Sequence, residues 1–307
     1  MMKSTRAGYG DALLALGDKR EEIVVLEADL SKSTYSVKFR EQHPTRFVQC
    51  GVAEQNMMGV AAGLAVSGKI CYTGSFAVFA SQRALEQVRN TICYNELNVK
   101  ICPSHAGISV GEDGASHQTV EDIAIMRSLP GIKIIVPADY YEAKSSVIKA
   151  AEIDGPFYIR MGRPALSFVF DENYEFELGK AVRLKEGNDV SIFCCGIMVQ
   201  EALKAWEDLK KMGINAEIFN VSTIKPLDET AIINSAKKTK KVVTVEEHSV
   251  IGGLGSVISE LLIQKNPVQL TMVGIKDEFG SSGSIKDLML HYHLTNNDIV
   301  KAVKSIC

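Results

Sequence analysis

The chain has no excess of charge of either sign. Its 34 Lys plus Arg nearly balance 37 Asp plus Glu, for a formal net charge of -3. Neither a nucleic-acid protein held by a basic face nor a binder of anionic membranes fits that balance. There is no long apolar run. The most apolar helix-like stretch, Met57 to Val66, contains two glycines and falls well short of the roughly 20 residues a membrane span needs. The opening, MMKSTRAGYGDALLALG, has neither the long uncharged core nor the small-residue cleavage site of a secretory signal. No C-x-x-C pair occurs. The seven cysteines (50, 71, 93, 102, 194, 195 and 307) are odd in number, and several sit in apolar runs such as KICYTG and VSIFCCG. They read as buried, reduced thiols of a cytoplasmic protein rather than as metal ligands or redox centres.

What is present is an ordinary globular composition, 46% apolar and 23% charged over 307 residues, enough chain for about two domains. Short β-type runs alternate with helical runs. EEIVVLEADL, GKICYTGSF, NVKICPSH, GIKIIVPAD and GPFYIRMG read as strands, with helices near 6–17, 53–67, 82–94, 119–128 and 140–153. The strands are apolar on both sides, which predicts a parallel sheet covered by helices on both faces. The polar stretch SFVFDENYEFELGKAVRLKEGND breaks this rhythm. A second series follows: DVSIFCCG, NAEIFNVSTIKPL, KKVVTVEEH and VQLTMVGIK, with helices near 198–211, 228–238, 255–265 and 296–305. The pattern predicts two parallel-sheet α/β domains, about 1–165 and 187–307, with a linker over 166–186. There is no internal repeat and no low-complexity tract.

Four segments carry candidate chemistry. In RFVQCGVAEQNMMGVAAGLAVSGK, Glu54 opens a helix of small residues and is the only charge from Gly51 to Ser67. It is either a surface helix-terminal charge or a partly buried acid with a role, and its apolar setting favours the second. In TGSFAVFASQRALEQVRN, Phe76 and Phe79 are either core aromatics or a flat wall for a ring. In SHAGISVGEDGASHQTVED, a glycine-rich loop after a strand carries His105, Asp113 and His117. Loops at the carboxyl ends of parallel strands form binding crevices, so these three are expected to converge. The spacing fits no short metal motif. In GPFYIRMGRPAL, Arg160 and Arg163 follow a strand and could fork onto phosphate oxygens. Arg6, Lys32, Ser33 and Thr34 could add donors if they lie nearby. The glycine run in EEHSVIGGLGS is only weakly like a phosphate loop, and close packing is its simpler reading.

Together these segments resemble the second half of transketolase over nearly the whole chain. The resemblance runs from TRAGYGDALLALG through LEADLSKSTYS, GVAEQNMMGVAAGLA, GSFAVFASQ, SHAGISVGEDGASHQTVEDIA and PFYIRMGRP to STIKPLD and VVTVEEHSVIGGLGS. The ordered pair GVAEQN and GEDGxxHQ is specific. The resemblance implies a thiamine diphosphate pyrimidine-binding fold followed by a largely architectural transketolase C-terminal domain. It implies that Glu54 hydrogen-bonds the ring nitrogen of the cofactor's aminopyrimidine, favouring the imino tautomer that deprotonates the thiazolium. It matches Phe76 and Phe79 to aromatics packing on the pyrimidine, and Asp29 to an acid near the cofactor at a subunit interface. His105, Arg6, Ser33 and Arg163 match donors to a sugar phosphate. Asp113 matches an acid reading a substrate hydroxyl, and His117 a proton carrier near the donor carbonyl.

After Phe79 the run ASQRALEQ departs from many transketolases. It puts Gln82 and Arg83 where substrate choice could change, and QRAxxQ is also similar to deoxyxylulose-phosphate synthase. The GDG…N motif that holds the diphosphate and its Mg2+ or other divalent metal is absent. The expectation is therefore the C-terminal subunit of a split transketolase. It would act with an N-terminal-half partner as an α2β2 heterotetramer, transferring two-carbon ketol units between sugar phosphates of pentose phosphate metabolism. The rivals are a deoxyxylulose-phosphate synthase-like or 2-oxo acid dehydrogenase beta-like subunit and, in another class, a non-catalytic binding subunit.

Overall fold

The computed structural model describes residues 2–307. Runs such as IVVLE and ICYTG carry apolar side chains on both faces, so their strands need cover on both sides. Every residue of these two strands is buried. In chain order the strands are β1 (Met2–Ser4), β2 (Ile23–Glu27), β3 (Phe47–Gln49), β4 (Ile70–Gly74), β5 (Val99–Ile101), β6 (Lys133–Ile135), β7 (Phe157–Ile159) and β8 (Ala165–Ser167). There follow β9 (Val182–Lys185), β10 (Val190–Cys194), β11 (Ala216–Asn220), β12 (Thr223–Lys225), β13 (Lys241–Ser249) and β14 (Gln269–Ile275).

They form two α/β units, as the alternation predicts. The first sheet has the order β12-β6-β7-β5-β4-β2-β3 and the second β14-β13-β10-β11-β9. Both are parallel except at one edge each, where β12 runs antiparallel to β6 and β9 antiparallel to β11. β1 and β8 pair as a separate antiparallel ribbon. Helix Thr5–Lys19 is capped by Ser4, whose hydroxyl accepts from the Ala7 N–H. It packs against helix Tyr140–Ala150 so closely that a Cβ on Gly8 would collide with the Tyr140 carbonyl oxygen. Among the described residues no helix is long and apolar enough to cross a membrane.

Three features refine the expectation. First, β12 belongs by sequence to the second unit but pairs with the first sheet, Thr223 opposite Ile135. One core cluster joins Met126 and Ile134 to Phe193, Val221 and Ile258, so the two units share a core. Second, the 166–186 segment, expected as a partly ordered linker, opens inside β8 and contains β9, an edge of the second sheet. Third, the helix expected over 82–94 is built from two widened, π-type stretches, Phe79–Arg83 and Gln87–Cys93. Its buried residues Ala80, Ala84, Val88 and Ile92 are spaced by four. An α-helix would rotate each away from the last by about 40°, and wider turns keep them on one face.

Candidate active site

The carboxyl ends of β2, β4, β5 and β7 are neighbours in the first sheet. The chain leaving them carries Asp29, Phe76, His105 and Arg163 to one edge, the place where parallel sheets bind ligands. Glu54 is the first residue of helix Glu54–Val66 and only 1% exposed. Its Oε1 accepts from the Ser75 hydroxyl at 2.9 Å and its Oε2 from the Arg83 guanidinium at 2.8 Å. Of the two readings of Glu54, the buried acid is the one observed. On the same helix Gly59 and Gly63 face outward, with no atom within 4 Å of a Cβ placed there.

Phe76 and Phe79 are stacked with ring centroids 6.2 Å apart. Phe76 also stacks on His105 at 4.0 Å. His117 stands edge-on to both, 6.1 Å from Phe76 and 5.6 Å from Phe79. The π-type turn after Phe79 brings Arg83 back over that ring, 4.4 Å from its centroid. Thus β4 and β5 deliver an aromatic recess with a buried carboxylate beside it.

His105 adopts φ +58°, which turns its ring inward from the loop. Its Nδ1 lies 2.8 Å from the Ser104 hydroxyl. Burial, then the charges of Arg6 and Arg163 and the nearby His117, pushes the imidazole down to about 3. His105 is therefore neutral at ordinary pH. Arg6 bridges the Ser33 loop and the backbone of Arg163. Arg6 donates to the carbonyls of Ser33 at 2.6 Å and Arg163 at 3.2 Å. Arg163 donates to the Val110 carbonyl and to Glu112 at 3.3 Å. The Ser33 side chain is half-buried, and its carbonyl is the anchor of Arg6.

Asp113 is exposed at the turn of the Gly107–Thr119 loop. Asp29 is exposed as well, held at φ +64° by Gln49, which accepts from its N–H at 2.9 Å and donates to its Oδ1 at 3.3 Å. Gln82 turns from the recess toward Thr119, donating to its hydroxyl at 3.3 Å. Among the described residues, no three His, Cys, Asp or Glu side chains form a group that could hold a metal ion.

Arg160 is the exception to the expected phosphate cluster. It is buried, with Nε on Asp122 at 2.8 Å and a second nitrogen on the Glu247 carbonyl at 3.1 Å. Tyr158 donates to the same Asp122 oxygen at 2.7 Å. Despite burial, Arg160 keeps the Asp122 carboxyl below its ordinary value. Leaving β7, residue 160 points into the body of the protein, whereas Arg163 reaches the rim. Arg160 thus fastens the two units together and is not free for a ligand.

Two buried acids near the site escaped the sequence reading. Glu27, at the end of β2, takes the hydroxyls of Thr34 and Ser36 on Oε1, the latter at 2.8 Å, and its Oε2 is buried without a partner. Burial pushes it up to about 7. Glu247, on β13 of the second unit, accepts from the Ser109 N–H at 2.6 Å. It also fills the space where a Cβ of Gly107, at φ +78°, would lie. Burial pushes it up to about 6. The available signal was VEEHS: adjacent acids in a strand covered on both faces cannot both reach water. Gln118 completes the support of this loop, donating to the Ser281 carbonyl at 2.9 Å.

Residues 1–168 match the family model described as transketolase, pyrimidine binding domain, and residues 179–299 that of transketolase, C-terminal domain. A putative transketolase C-terminal section from Methanocaldococcus jannaschii is 49% identical, the match covering 98% of this chain and 95% of that one. A 6-deoxy-6-sulfo-D-fructose transketolase subunit from Clostridium sp. is 45% identical, over 98% of this chain and 94% of its own. A solved structure described as a split gene transketolase, inactive beta4 tetramer, superimposes with a TM-score of 0.91 at 47% identity, covering 99% of this chain and 97% of that one. The chain belongs to the transketolase family, of which it carries the pyrimidine-binding and C-terminal domains.

Proposed function

We propose that this chain is the C-terminal subunit of a split, thiamine diphosphate-dependent transketolase that moves a two-carbon ketol unit from a ketose phosphate to an aldose phosphate. The observation that carries the reading is the buried Glu54 carboxylate beside the Phe76–Phe79 recess. A flat aromatic slot with an ionisable acceptor at its edge fits a ring whose nitrogen shares a proton, as the aminopyrimidine's does. When bound, thiamine diphosphate supplies the carbanion and electron sink that cleavage beside a carbonyl requires.

The remaining roles follow from the chain's own residues. Glu54 takes and returns the proton of the ring nitrogen. Phe76 and Phe79 hold the ring and exclude water. Arg6 and Arg163, with the Ser33 loop, fork onto the substrate's phosphate. His105, being neutral, donates a hydrogen bond without adding charge. His117 stands at the aromatic edge, where it can move a proton at the substrate's carbonyl oxygen. Asp113 reads a hydroxyl, and Asp29 faces the cofactor across a subunit boundary.

The diphosphate and its divalent metal fall to a second polypeptide, an N-terminal-half transketolase chain, in an α2β2 assembly. The outward glycines of helix Glu54–Val66 support close approach of another backbone there. A 47%-identical protein described as an inactive tetramer of beta chains is what a half without its partner would be. The relative named for 6-deoxy-6-sulfo-D-fructose supports a donor range wider than pentose phosphates.

The test is two-carbon transfer from xylulose 5-phosphate to ribose 5-phosphate with thiamine diphosphate and magnesium. It is run on the chain alone and on the chain copurified with its partner, with a sulfonated ketose as second donor. Transfer in the copurified sample alone is expected. Transfer by the isolated chain would overturn the split reading. Failure with every ketose, with cofactor bound, would overturn the transferase reading.

A further inference from the structure

The Glu54 carboxylate lies where water does not reach it. An ionised carboxylate buried with one hydroxyl partner is costly unless a cation completes its shell. Arg83 is that cation, with one nitrogen 2.8 Å from Oε2. Its guanidinium plane also covers Phe79, 4.4 Å from the ring centroid. One side chain therefore occupies both surfaces a flat ring with a hydrogen-bonding nitrogen would need, the carboxylate oxygen and the aromatic face. Yet Arg83 is held lightly. Its side chain is 46% exposed, and the Glu54 contact is its one ion pair. It ends a π-type turn, Phe79–Arg83, rather than a regular helix.

We propose that Arg83 is a displaceable cap on Glu54: it holds the carboxylate aimed while the recess is free, and gives up Oε2 and the Phe79 face to the incoming ring. This rests on the reading that the recess receives the aminopyrimidine of thiamine diphosphate. Arg83 is thus a positioning residue that acts through Glu54. It makes the site self-compensating: the buried carboxylate always has a partner, first the guanidinium and then the ring nitrogen. The exposed side of Arg83 gives it somewhere to go, since a released guanidinium returns to water.

The cap predicts a difference between the ligand-free and ligand-bound states that a permanent ion pair does not. Melting temperatures are compared for the unaltered chain, Arg83→Gln, Arg83→Lys and Glu54→Gln/Arg83→Gln, each alone and, copurified with its partner, with and without thiamine diphosphate and magnesium. Arg83→Gln should melt several degrees lower in the ligand-free state. Arg83→Lys, and removal of the charge in the double variant, should recover most of that loss. With cofactor bound, the Arg83→Gln complex should melt close to the unaltered one, and its cofactor dissociation constant should fall about tenfold, because the ring no longer competes. An equal loss with and without cofactor would overturn the cap and leave a fixed structural pair. No loss in the ligand-free chain would overturn it too. If the unaltered complex shows no cofactor-induced shift at all, the functional reading itself fails, and the cap with it.

Discussion

The carboxylate of Glu247 accepts the backbone N–H of Ser109 at 2.6 Å, so an acid of the second unit holds the loop of the first unit that carries His117. The second unit thus fixes the position of a loop of the first. Glu247→Ala should leave the Ser109 N–H unpaired, at about 1–3 kcal/mol. Amide exchange across 107–119 should rise in the variant, and turnover should fall more than cofactor affinity does.

Glu54→Gln keeps the shape of the recess and removes the carboxylate proposed to accept the ring proton. Turnover at saturating cofactor should fall at least about a hundredfold, within the range of general acid–base contributions. Near-normal turnover in a steady-state assay would remove Glu54 from the reaction.

Arg163→Ala and Arg6→Ala should each raise KM for a sugar phosphate, with a loss in kcat/KM of about 10- to 100-fold, the scale of one charged hydrogen bond. A dephosphorylated ketose should react equally slowly with variant and unaltered enzyme. Equal losses on both substrates would place the arginines outside phosphate recognition.

Arg160→Met should act differently, because its guanidinium neutralises the buried Asp122. Leaving that carboxylate alone costs about 3–5 kcal/mol, visible in urea denaturation. In whatever protein remains folded, KM for the phosphate should be unchanged.

Glu27 gives the fold a pH dependence. Its folded value of about 7 lies above the ordinary 4.5, so between those values the folded chain keeps a proton that the unfolded chain has released. Unfolding free energy therefore falls as pH rises from about 4.5 through 7, by on the order of 3 kcal/mol for this group. Urea denaturation at pH 5 and pH 8 should show the slope, and Glu27→Gln should reduce it, with Glu247 supplying part of what remains.

The strands of both sheets are legible because doubly covered strands must be apolar throughout, as IVVLE and VSIFC are. Glu54 is legible because it stands alone among uncharged neighbours. Phe76, His105 and His117 are legible because each follows a strand whose carboxyl end opens on the crevice. What the chain hides is pairing over long separation. Arg160 and Arg163 read as twins, yet one meets Asp122 inside the protein and the other reaches the rim. Glu247 and Ser109 are 138 positions apart, and no local pattern links them. The β12 crossing is hidden for the same reason, since Thr223–Lys225 extends equally well in either sheet. The π-type turns were masked because a spacing of four fits an α-helix over one turn and drifts only over several.

The edge of the first sheet is closed by β12, drawn from residues 223–225. As the chain leaves the ribosome, the other six strands of that sheet emerge well before their last neighbour. For that interval β6 presents open backbone donors and acceptors, the kind of surface that invites pairing with another chain. Slow synthesis or truncation between residues 168 and 223 should therefore yield aggregates rather than a free-standing first domain.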